Sequence, residues 1–142
     1  GGWQISGAWQ RQSGQPIGWG NIIITGDSTQ LELPSDRRNA DHWFNTDIFN
    51  KRSQDQLASN LRTFPLRFGN VRLDSQRRWD FSVNKSFKIN ERIRTRFRVD
   101  SFNALNEPVL RGPDTSPTST TFGRITAQEP SRSFQASLNI QF

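Results

Sequence analysis

From Trp79 to Ile89 the chain reads WDFSVNKSFKI, and every second residue but one is apolar. Trp79, Phe81, Val83, Phe87 and Ile89 fall on one side of an extended backbone; Asp80, Ser82, Asn84, Ser86 and Lys88 fall on the other. A period of two is incompatible with a helix, whose apolar stripe needs a period near 3.6. The same alternation recurs in Trp3 to Gln10 (WQISGAWQ), in Ile93 to Phe102 (IRTRFRVDSF) and in Ser133 to Phe142 (SFQASLNIQF). Each stretch is about ten residues, or roughly 33 Å, whereas ordinary strands average nearer 5–6 residues. That is the length a tilted strand needs to cross a bilayer. The expected fold class is therefore all-β, with antiparallel long strands of a transmembrane-type β-barrel, about four of them in residues 1–142.

Parity predicts one hairpin in detail. The apolar positions are odd-numbered in both the second and third stretches, so facing residues must sum to an even number and the loop must be odd in length. A three-residue loop, Asn90-Glu91-Arg92, pairs Ile89 with Ile93 and Val83 with Val99. On the polar side it sets Ser86 opposite Arg96 and Ser82 opposite Asp100. The other two connections, 11–77 and 106–131, are long and rich in Pro, Gly, Ser, Thr and Asn, which mark turns. Within the first, NIIIT (21–25) suits a short strand and DIFNKRSQDQLASNL (47–61) a helical turn or two.

The hydrophobic fraction of 32% is low for a domain that buries one core of its own, yet eleven Phe and five Trp are too many for a disordered chain. A sheet with one apolar and one polar face reconciles the two. No apolar run approaches the ~18 residues of a membrane helix, and GGWQISG lacks the basic start and apolar stretch of a signal peptide.

The net charge of +6 raises the possibility of a nucleic-acid surface, and Arg92, Arg94, Arg96 and Arg98 form its most conspicuous row. Strand alternation argues against it. Phe97 and Trp79 lie on the opposite face from the arginines, while a stacking surface needs aromatics and cations together. The better reading is a polar lumen face of Asp80, Arg94, Arg96, Arg98 and Asp100, with the arginines paired to the two acids. Trp3, Trp9 and Trp79 lie on apolar faces, where the bland reading is core packing. In a membrane barrel they are interfacial aromatics. Lys85 interrupts that face; at the centre of a bilayer it costs about 2–4 kcal/mol, so it must snorkel to an interface.

Chemistry-bearing motifs are sparse. There is no cysteine; His42, with Asp41 and Asp47 nearby, is the single histidine and a weak metal signal. No G-x-S-x-G, Walker A or EF-hand spacing occurs. No enzyme, cofactor, metal or nucleic-acid partner is expected.

Four stretches together, GWQISGAWQRQSGQPI (2–17), WFNTDIF (43–49), FGNVRLDSQRRWDFSVNKSFKINERIRTRFRVDSFNALNEP (68–108) and TFGRITAQEPSRSFQASLNIQF (121–142), resemble the C-terminal end of TonB-dependent outer-membrane receptors, particularly the Oar-like group. The resemblance covers nearly the whole chain. It implies a plugged barrel of about 22 strands in the outer membrane of a Gram-negative bacterium, taking up scarce nutrients with energy passed by TonB. It also implies that the alternating end, Phe134, Leu138, Ile140 and Phe142, is the signal read by the barrel assembly machinery. The 90–92 turn is then periplasmic and the long connections extracellular. No plug or TonB-contacting segment is recognisable, and Tyr and Met are absent.

About eight strands is the smallest usual barrel, so four leave two open edges. The expected partners are outer-membrane lipid and either the rest of the barrel or further copies pairing edge to edge, the latter giving an extracellular β-tube or filament. Transport by these four strands alone is not expected.

Overall fold

The computed structural model describes residues 1–56 and 65–142. The chain divides into two compact units, Gly1–Gln12 with Ser75–Val109 and Pro130–Phe142, and Ser13–Asp74 with Leu110–Glu129.

The first unit is a single antiparallel sheet. Its strands are β1 (Trp3–Gln12), β4 (Gln76–Lys88), β5 (Arg94–Phe102) and β6 (Ser133–Gln141), in the spatial order β1-β4-β5-β6. They follow the four alternating stretches, with β1 running two residues further than its pattern and β4 beginning three residues earlier. The β4–β5 register is the one parity demands: Val83 faces Val99, Ser86 faces Arg96 and Ser82 faces Asp100. Ile89 donates its N–H to the carbonyl of Ile93 at 3.0 Å, leaving Asn90-Glu91-Arg92 as the loop. No left-handed residue closes this turn; the Asn90 side chain does, accepting from the N–H groups of Arg92 (3.0 Å) and Ile93 (2.8 Å).

The other end of β5 turns differently. Asn103 and Asn106 both take left-handed φ, at 50° and 54°, a conformation Asn tolerates because its short amide bonds locally. Asn103 anchors the turn by accepting from the Glu107 N–H and donating to the Glu107 carbonyl. Asp80 accepts from the Asn103 N–H at 2.9 Å, tying the turn to β4.

The second unit holds more than the short strand and helical turns expected in its connections. Residues Pro16–Gly18 (β2) and Arg67–Arg72 (β3) pair as a bulged two-stranded ribbon, with Pro16 at the first position of β2, where its missing N–H costs least. The expected strand at 21–25 reduces to a single bridge between Ile24 and Phe49. Of the expected helical turns at 47–61, one short 3-10 helix forms at Ser53–Asp55; residues 57–61 lie outside the described residues. Ile17, Trp19, Ile22, Leu31, Trp43, Phe44, Ile48, Phe49, Val71 and Ile125 form a buried cluster here. Trp19 stacks on Phe49 at 5.4 Å and meets Phe44 edge-on at 4.7 Å; Phe122 closes on both Phe44 and Phe49. Trp43 Nε1 donates to the Arg72 carbonyl at 2.8 Å, satisfying the one polar atom its ring carries inward. Gly123 sits at φ +83°, and a Cβ there would collide with the Thr46 side chain, so only glycine fits.

Candidate functional site

In the sheet unit the strand residues sort onto two faces, and the registers align the faces across all four strands. One row reads Trp3–Lys85–Phe97–Leu138, the next Ile5–Val83–Val99–Ala136, the next Gly7–Phe81–Ser101–Phe134, and Trp9 faces Trp79 beyond it. The intervening rows read Gln4–Asn84–Arg98–Ser137 and Ser6–Ser82–Asp100–Gln135.

The apolar face has no cover within the sheet. Ile5 is 73% exposed, Phe134 68% and Leu138 61%. Contiguous exposed apolar surface of this kind marks a face that meets another apolar phase or partner. The sequence-predicted interfacial tryptophans occupy two levels of this face. Trp9 and Trp79 pair directly and stack at 5.6 Å, with Phe81 continuing the stack at 5.9 Å. Trp3 lies six residues along β1, roughly 20 Å toward the 90–92 turn. Lys85 faces Trp3; its ammonium sits 4.7 Å from the ring centroid and donates to the Gly1 carbonyl at 2.9 Å. The side chain thus points its charge toward the turn end, the snorkelling geometry its position requires. Gly7 is a position that the alternation alone did not single out. Phe81 on the neighbouring strand lies over it, and a Cβ at Gly7 would be 3.1 Å from that ring. The glycine offers the ring a flat seat, and the ring covers the glycine's bare backbone.

The polar face is recessed. A concavity of about 390 Å³ is lined by Gln4, Ser6, Ser82, Asn84, Arg96, Arg98, Ser137, Asn139 and Gln141. Asp80 and Asp100, placed on this face from the sequence, are both ion-paired. Arg98 reaches Asp100 at 2.8 Å, as expected from the arginine row. Asp80 is held at 2.8 Å by Arg78 on its own strand, a residue the sequence reading did not select. Arg77, on the Trp79 side of β4, meets Glu107 at 3.5 Å. Arg94 and Arg96 lie on the same face, opposite Gln141 and Asn139. Phe134, Leu138 and Ile140 line the apolar side of β6, and Phe142, just past the strand, is 94% exposed. In the other unit Asp41 is bound by Arg124 at 2.6 Å, and His42 uses its backbone to close a turn with Asn39.

A long-stranded antiparallel sheet that is apolar outside, polar and recessed inside, tightly turned at one end and elaborately connected at the other is the wall of a transmembrane β-barrel. The chain belongs to the family described as Outer membrane beta barrel domain, whose model matches residues 1–135. No curated protein and no solved structure matches the chain. Its sheet is not closed: β1 and β6 are edges among the described residues.

Proposed function

We propose that residues 1–142 form the C-terminal wall segment of a TonB-dependent outer-membrane receptor of the Oar-like kind. The observation that carries this reading is the pairing of the two-faced sheet with its open edges: lipid suits one face and a plugged, watery lumen the other, and the edges await neighbouring strands. The named group rests on the sequence resemblance across RVDSFNALNEP and FGRIT. In this reading Asp80, Arg94, Arg96, Arg98 and Asp100 face the lumen, and Trp3, Trp9 and Trp79 mark the lipid interfaces. Phe134, Leu138, Ile140 and Phe142 are recognised by the assembly machinery. The 90–92 turn is periplasmic, and the segments 13–74 and 110–129 are extracellular. Substrate passage belongs to the whole receptor.

The open outer edges of β1 and β6 favour a second reading, edge-to-edge assembly of copies into a tube or filament. Blotting native outer membranes with an antibody raised against residues 111–129 separates the two. A membrane-embedded band several-fold heavier than 16.3 kDa, whose nutrient uptake stops when TonB is removed, is the expected result. A 16.3 kDa chain that migrates as sodium dodecyl sulfate-resistant multimers overturns it in favour of assembly.

A further inference from the structure

The polar face of the sheet is electrically uneven along its length. Toward the long connections the cations of this face have acids: Arg78 has Asp80 and Arg98 has Asp100. Toward the 90–92 turn, Lys88, Arg94 and Arg96 are exposed, and among the described residues none of them is in an ion pair. Glu91, in the adjoining turn, is in no ion pair either. Lys88 and Arg94 are moreover direct cross-strand partners, with Arg96 two residues along the same face. Like charges directly opposite one another destabilise an antiparallel pair. A sequence free to choose would put an acid, or an uncharged residue like the facing Gln141 and Asn139, at one of these positions. Local rules of this kind are broken where a function gains from the breach.

The three cations also share a recess. A concavity of about 500 Å³ is lined by Ser86, Phe87, Lys88, Arg94, Thr95, Arg96, Asn139 and Gln141. Its size suits a small ligand. Its polar-face lining offers two guanidinium forks, one ammonium, two amides and one hydroxyl. Guanidinium forks match the paired oxygens of phosphate or carboxylate, and the uncharged donors can complete such a shell.

We infer that the turn end of the polar face is a binding site for a small multivalent oxyanion, a phosphate- or carboxylate-bearing solute held by Lys88, Arg94 and Arg96. Bound, the anion screens the Lys88–Arg94 repulsion; empty, the site stores it. The inference needs only a water-accessible polar face and stands apart from whether the wall belongs to a TonB-dependent receptor.

The test uses the native outer-membrane protein that carries this chain, in detergent micelles, with inorganic pyrophosphate as the probe, read by calorimetric titration and by melting temperature. Saturable binding that weakens with added salt is expected. Arg94→Gln combined with Arg96→Gln should weaken it by at least about tenfold, the size of effect expected for losing charge-assisted hydrogen bonds. Arg78→Gln, on the same face but paired with Asp80, should change it by less than about twofold. Pyrophosphate should raise the melting temperature of the wild type but not of the double variant, and without anion the double variant should melt no lower than the wild type. Absence of saturable binding, equal losses in Arg78→Gln and the double variant, or equal thermal shifts would each overturn the inference. A double variant that melts below the wild type without anion contradicts the stored repulsion and overturns it too.

Discussion

Replacing Val99 by arginine tests directly whether the apolar face meets lipid. Val99 faces Val83 in the row Ile5–Val83–Val99–Ala136. The outward apolar positions of β4 and its turn run from Trp79 to Ile89, ten residue steps, or roughly 33 Å along the strand. At a tilt of about 40° this projects to roughly 25 Å along the membrane normal, the height of the apolar band of an outer-membrane barrel. Val83 lies four steps from Trp79, so the Val99 row is about 10 Å inside the band and within about 3 Å of its midplane. A charge there costs about 2–4 kcal/mol. Two controls fix the interpretation. Ser6→Arg lies at nearly the same depth on the polar face, opposite Ser82 and diagonal to Asp80, and should change stability by less than about 0.5 kcal/mol. Ile89→Arg, at the turn, should cost about 0–1 kcal/mol. Urea unfolding from phosphatidylcholine vesicles, followed by tryptophan emission, measures all three. If Val99→Arg costs under about 0.5 kcal/mol, or Ser6→Arg costs as much as Val99→Arg, the face is not in lipid and the reasoning fails.

Three further outcomes follow from the geometry. Gly7→Val should destabilise the sheet by about 1 kcal/mol and perturb the emission of the stacked Trp79, because the Phe81 ring must leave its seat; unchanged emission contradicts that seat. Gly123→Ala should cost about 1–3 kcal/mol in the second unit, seen as faster hydrogen exchange at the Trp43 N–H, which bonds the Gly123 carbonyl; wild-type exchange there refutes it. Hydrogen bonds from Ser119, from the Ser116 N–H and from Thr121 hold the Asp114 carboxyl below its ordinary value of 3.8. A depressed folded-state value means stability that is present above pH 3.8 and lost as pH falls through the lowered value, so exchange at the Ser116 N–H should accelerate below about pH 4. Asp114→Asn should flatten that acid limb, and an unchanged limb excludes Asp114 as its source.

The sheet was legible because its determinants are local. Side-chain alternation has a period of two, so a ten-residue stretch declares its own faces, and the parity of two neighbouring stretches sets their register without any knowledge of the rest of the chain. The Lys85 problem was legible for the same reason: one charge at an odd position. Its solution was not, because the Trp3 ring and the Gly1 carbonyl approach it through pairing with β1, over eighty residues away in sequence. The second unit was almost wholly hidden. Trp19, Phe44, Phe49 and Phe122 stand in segments rich in turn residues, with no period to connect them, and they meet only through long-range packing. Sequence patterns report elements, and this core is built from bends. The one signal that could have pointed to it was the aromatic count outside the strands: a solvated loop has no use for Trp19, Trp43, Phe44 and Phe49 within about thirty residues of each other.

That division also explains a composition that looks too polar to fold. In a soluble domain one core must supply nearly all of the hydrophobic stabilisation, which demands apolar residues throughout. In the proposed barrel half of each long strand faces water, and the exposed apolar half needs no partner from its own chain, because lipid takes the place of a second layer. Only the second unit must bury apolar surface against itself, and it does so with a compact aromatic cluster in which Leu31 and Phe44 are 0% and 1% exposed. The two units therefore satisfy different solvents by different means. A destabilising change in the aromatic cluster, such as Phe44→Ala at about 3–5 kcal/mol, should loosen the segments around it and leave the sheet register intact. A charge at Val99 should do the reverse.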